Sequence, residues 1–64
     1  MQEGDTDPRT GFIIGEMVVK HTGEYNPPGI YRGSILTRAG KVRVIVEHDY
    51  GMLHIYAPEQ IKSK

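Results

Sequence analysis

Hydrophobic and polar residues alternate most clearly over Lys41–His48, where Val42, Val44 and Val46 fall on one face and Lys41, Arg43, Ile45 and Glu47 on the other. A period of two marks a half-buried strand, so the valine face is read as the core face. Three more strands are predicted from β-branched content between turn residues. Glu16–His21 sets Val18 and Lys20 against Met17, Val19 and His21, and its periodicity does not choose the buried face. Ile30–Thr37 carries Gly33 in its middle, the mark of a bulge, a bend or a close backbone approach. Met52–Tyr56 offers Leu53 and Ile55 on one side and Met52, His54 and Tyr56 on the other. Pro58-Glu59-Gln60 then reads as a tight turn that returns Ile61 as a short fifth strand.

The connections between these runs are dense in breakers. Gly15, Gly23, Pro27-Pro28-Gly29, Gly33, Gly40, Gly51 and Pro58 leave no amphipathic stretch long enough for a helix. A long loop spans Thr22–Gly29, where the two prolines remove backbone donors and bias Asn26 toward extended geometry. Ala39-Gly40 makes the second turn. A two- or four-residue loop around Asp49-Tyr50 pairs Val46 with Leu53 and Val44 with Ile55, joining two apolar faces into one core. That register sets Glu47 opposite Met52, Ile45 opposite His54 and Arg43 opposite Tyr56 on the outer face. Five short strands, one long early loop and a tight turn before the last strand predict an all-β fold, a small five-stranded SH3-like barrel over residues 12–64.

Residues 1–11 change the picture at one end. They hold only Met1 as a large apolar group and are rich in Gly, Asp and Thr, so they are expected to be a disordered, acidic tail with nothing to bury. Glu3, Asp5 and Asp7 against Arg9 leave residues 1–10 at −2 and the remainder at +2, within a chain of 64 residues whose formal charge is zero. Such a balance gives no field to gather nucleic acid, an anionic membrane or an acidic substrate. The longest apolar run, Phe12-Ile13-Ile14, is far too short for a membrane span, and no basic leader precedes it, so the expected location is cytoplasmic. With no cysteine there is no disulfide or thiolate metal site to brace so small a core, and self-association into a dimer or tetramer is the natural way to bury more surface. The outer face of the last hairpin, with Ile45, Met52, His54 and Tyr56, is the expected oligomer interface.

Two segments resemble the plasmid-type (type II) dihydrofolate reductases. Gly15-Glu16-Met17-Val18-Val19-Lys20-His21-Thr22-Gly23 is similar to that family's Gly-Asp-Arg-Val-Arg-Lys-Lys-Ser-Gly. Glu47 to Tyr56 is similar to its Glu-x-x-x-Gly-Ser-Val-Gln-Ile-Tyr, whose last four residues line a central pore, and Tyr31-Arg32-Gly33 is similar to its Trp-Gln-Gly. Ile55-Tyr56-Ala57-Pro58 also resembles the Ile-(Phe/Tyr)-x-Pro ending of short uncharacterised bacterial and phage proteins. The resemblance implies a homotetramer with one pore active site, NADPH as cofactor, Lys20 at the pore mouth, and His54, Ile55 and Tyr56 as the residues facing substrate and cofactor, with Lys20, Ile55 and Tyr56 on the cofactor side. His54 stands where that family has its pore glutamine, and Met52 replaces its serine.

Other candidate chemistry is sparse. His21, His48 and His54 are not spaced as metal ligands, so no metal is expected. Arg38, Lys41 and Arg43 read as a solvated turn that guards a sheet edge rather than a nucleic-acid contact. Pro27-Pro28 with Tyr25 and Tyr31 could wall a groove for an extended peptide or protein segment. No Ser-His-Asp set, phosphate loop or carboxylate pair is legible. The leading expectation is therefore an oligomeric binding or interaction module, with the reductase as the alternative.

Overall fold

The computed structural model describes residues 2–23 and 26–64. Five antiparallel strands build one sheet: β1 (Met17–Lys20), β2 (Pro28–Leu36), β3 (Val42–His48), β4 (Met52–Tyr56) and β5 (Ile61–Ser63), in the spatial order β4-β3-β2-β1-β5. Among the described residues there is no α-helix; single 3₁₀ turns occupy Asp49–Gly51 and Pro58–Gln60. β4 and β5 lie at opposite ends of that order and do not pair, so the sheet is not closed into the expected barrel by hydrogen bonds. It is nevertheless curled. The Lys20 ammonium at the end of β1 comes within 5.9 Å of the Tyr56 ring centroid on β4, although β2 and β3 lie between the two strands in the sheet. The bend is helped by a bulge between Tyr31 and Gly33, where Gly33 has φ +136°.

The β3–β4 hairpin corrects the expected register by one residue. Its loop is Asp49-Tyr50-Gly51, and the pairs are His48–Met52, Glu47–Leu53, Val46–His54, Ile45–Ile55 and Val44–Tyr56. Gly51, at φ +73°, supplies the left-handed residue that ends a three-residue loop. Because side chains alternate along a strand, one residue more or less in the loop turns all of β4 over. Leu53 and Ile55, expected against the valines, are each 60% exposed on the outer face. Met52, His54 and Tyr56 lie instead on the valine side. The interface grouping of Ile45 with Met52, His54 and Tyr56 is corrected with it, since Ile45 faces the other way.

The core is Val18, Tyr31, Val44 and Val46, with Ile14 and Ile61 beside them and Phe12 and Tyr56 packed against it. Gly29 lets β2 press onto β3: a β-carbon there would meet Val46 and sit 3.0 Å from the Glu47 carbonyl. The expectation that residues 1–11 bury nothing is also corrected. Gly4 N donates to Ile14 O at 2.8 Å, Ile14 N to Asp5 O at 2.8 Å, and Asp7 N to Phe12 O at 2.7 Å, with a bridge between Thr6 and Ile13. Asp7 is wholly buried beneath Tyr31. Arg32, in the bulge, ties this segment to the sheet by pairing with Glu3 at 3.2 Å and Glu47 at 2.8 Å.

Candidate functional site

The register that exposes Leu53 and Ile55 builds a cleft on the opposite side. Lys20 from β1, Asn26 and Pro27 from the loop, Pro28 from β2, His48 from β3, Asp49 from the turn, and Met52, His54 and Tyr56 from β4 enclose about 730 Å³. That volume lies within the ~300–1,000 Å³ range of small-molecule sites.

His48 organises the floor. Its Nδ1 lies 2.9 Å from the Pro28 carbonyl, which can only accept, so Nδ1 carries the hydrogen. In the neutral ring Nε2 then accepts from the Tyr56 hydroxyl at 2.7 Å. Both nitrogens of His48 are occupied by these bonds, which fix the ring and orient the phenol. His54 stands edge-on to His48 with centroids 4.9 Å apart and stacks on Tyr56 at 6.0 Å with planes 16° apart. Lys20 adds a cation–π contact to the Tyr56 ring. The cleft thus combines apolar walls from Pro27, Pro28 and Met52 with stacked flat rings and hydrogen-bonding edges.

Of the residues singled out from the sequence, Lys20, His54, Tyr56 and Met52 meet in this cleft. Ile55 and Ile45 pair with each other on the far face. Tyr31 is wholly buried and walls no groove, and Tyr25 lies outside the described residues. Arg38 and Lys41 sit at the β2–β3 turn, where Thr37 N donates to Lys41 O at 2.8 Å, and Arg43 donates to the Val42 carbonyl at 2.9 Å. His48 is the residue that sequence reasoning missed. Its proximity to His54 is a diagonal cross-strand relation, visible only once the loop is known to hold three residues.

A second polar cluster lies under the sheet. The Tyr31 hydroxyl donates to Asp7 Oδ2 at 2.7 Å, so the 2.7 Å contact with Thr10 has the threonine hydroxyl as donor. Arg9 N donates to Asp7 Oδ1 at 2.9 Å, and Ser34 Oγ is buried beside the pair without a well-aligned bond. Burial alone raises the Asp7 carboxyl, but the neighbouring Ser34 and Tyr31 hydroxyls and the Arg9 N–H favour its charge and hold it below the usual carboxylate range. Tyr31 is pushed up to about 12, chiefly by burial and further by the adjacent Asp7 carboxylate. Centred on the wholly buried Asp7 and Tyr31, this cluster anchors the N-terminal segment to the core.

No protein family, curated protein or solved structure matches the chain.

Proposed function

We propose that the chain is a self-associating binding module of the SH3-like kind, whose ligand lies in the cleft over His48, His54 and Tyr56. The observation that carries this reading is the cleft's construction: a histidine fixed through both nitrogens orients the Tyr56 phenol, and the exposed His54 stacks on that ring. A ring held before binding loses little freedom when a ligand arrives. Its chemistry suits a planar or extended ligand, such as a proline-rich peptide, that stacks on the rings and accepts or donates at their edges. The test is a titration followed by the histidine ring resonances, using a proline-rich peptide and NADPH as separate probes. Saturable shifts of His48 and His54 that vanish in His54→Ala support the module. Unchanged rings with both probes refute it for these ligand classes.

The reductase of the type II kind is the second reading, favoured by the meeting of Lys20, His54 and Tyr56 in one cleft. It would use NADPH and dihydrofolate, with no side chain serving as an evident acid or nucleophile, so positioning of two ligands would supply the rate. Ile55, turned to the other face, could contribute only backbone. Following NADPH oxidation with dihydrofolate in the wild type and in His54→Gln decides it: absence of turnover in both removes the reductase.

A further inference from the structure

His48 and His54 are too far apart in sequence to suggest a shared ion, yet the three-residue loop folds β4 back so that their ring centroids lie 4.9 Å apart. Two imidazoles bound to one metal ion at about 2.0 Å place their ring centres roughly 4.5–5 Å apart. Among the described residues no group of three or more His, Cys, Asp or Glu side chains could hold a metal ion, so a third donor has to be of another type. Tyr56 supplies it. Its hydroxyl lies 2.7 Å from His48 Nε2. Two donors held about 2.0 Å from one ion at a right angle are separated by ~2.8 Å. His48 is also oriented as metal-ligating histidines are: Nδ1–H donates to the Pro28 carbonyl at 2.9 Å, which fixes the tautomer and leaves the lone pair on Nε2. His54 is exposed and lies outside the core cluster, so its ring can turn toward an ion without disturbing the fold.

We propose that His48, His54 and Tyr56 form a copper(II) site in the cleft. The donor set selects the metal. Two imidazoles and a phenolate oxygen, with no thiolate, suit copper(II), which stands at the top of the affinity order for divalent first-row ions and takes nitrogen and oxygen ligands in tetragonal geometry. Solvent completes the coordination. On binding, the proton that Tyr56 donates to His48 leaves to water, bonds form from the ion to Nε2 and to the phenolate oxygen, and the hydrogen bond between those two atoms is lost. No electron moves, and the metal enters and stays as copper(II). The phenolate carries one negative charge and Asp49 lines the same cleft, which together offset the Lys20 ammonium near the Tyr56 ring. The site goes beyond the ligand reading above and does not rest on it, since it needs three side chains and no peptide or nucleotide.

The test is titration of the whole chain with copper(II) chloride in the presence of glycine, a competing chelator that suppresses weak surface binding. Wild type should take up one ion per chain, release a proton and show a visible absorption band from phenolate-to-copper charge transfer. Tyr56→Phe should lose the band and the proton release. His54→Gln should weaken binding at least about tenfold with unchanged far-ultraviolet circular dichroism, and because His54 is exposed this variant keeps the test sound even if Tyr56→Phe loosens the fold. His21→Gln, outside the cleft, should leave the affinity unchanged. A wild type without the band, binding that His54→Gln leaves unaltered, or an equal loss in His21→Gln overturns the site. Uptake seen only when glycine is omitted is an adventitious ion only, and overturns it too. The peptide and NADPH titrations are run without metal, so this site and the ligand reading stand or fail separately.

Discussion

Replacing Tyr31 by phenylalanine removes one oxygen atom from the centre of the molecule. Tyr31 is wholly buried, and its hydroxyl both donates to Asp7 and accepts from Thr10, each at 2.7 Å. A hydrogen bond to a charged group contributes about 1.5–3 kcal/mol and a neutral one about 0.5–1.5 kcal/mol. Phenylalanine keeps the ring and its 5.2 Å contact with Phe12, and it is easier to bury, which offsets part of the loss. The expected cost is therefore roughly 2–4 kcal/mol, because the Asp7 carboxylate stays buried with its best donor gone. For a domain of this size, with total stability on the order of 3–10 kcal/mol, that is a large fraction. Urea unfolding should show a lower midpoint at unchanged slope. In a double-mutant cycle, Tyr31→Phe should cost much less in an Asp7→Ala background, since the buried charge it strands is already absent. A Tyr31→Phe variant within about 0.5 kcal/mol of wild type would refute the idea that Asp7 is seated beneath the sheet.

The same cluster sets the pH limits of the fold. Because the folded Asp7 carboxyl is held below its ordinary value, its contribution is present above the unfolded carboxylate pKa and is lost as pH falls through the folded one, so Asp7→Asn should flatten the acid arm of a stability–pH profile. Tyr31, raised to about 12, contributes fully below the ordinary phenol value near 10 and loses that contribution as pH rises toward 12, which alkaline unfolding of wild type against Tyr31→Phe measures. Removing residues 2–10 should lower the melting temperature markedly, because it uncovers Tyr31 and Phe12; an unchanged melting temperature would place the segment outside the fold. Gly29→Ala should cost about 1–3 kcal/mol in urea unfolding, since its methyl group would press into Val46 and the β3 backbone. Leu53→Ser and Ile55→Ser, by contrast, should each change stability in urea unfolding by less than about 1 kcal/mol, since both side chains are largely exposed.

The elements themselves were legible because strand alternation and turn residues are local signals. Val44 and Val46 announced the core face, Gly33 announced the bulge, and Pro58-Glu59-Gln60 announced the return of Ile61, all of which hold in the structure. Two decisions were not local. Whether the last hairpin loop held an even or an odd number of residues turned on Gly51 adopting a left-handed conformation within Asp49-Tyr50-Gly51, and turn-forming residues alone permit either length. That single residue moved Leu53 and Ile55 to the surface and brought His48, His54 and Tyr56 into one cleft. The second decision was the place of Asp7. Nothing in an acidic, glycine-rich segment signals burial, because its stabilising partner, the Tyr31 hydroxyl, lies 24 residues away and only the curl of the sheet sets it over the carboxylate. Sequence determined which residues extend and where the chain turns; tertiary structure decided which face of β4 meets the core and what the N-terminal segment covers, because register and long-range polar pairing depend on how separate elements meet.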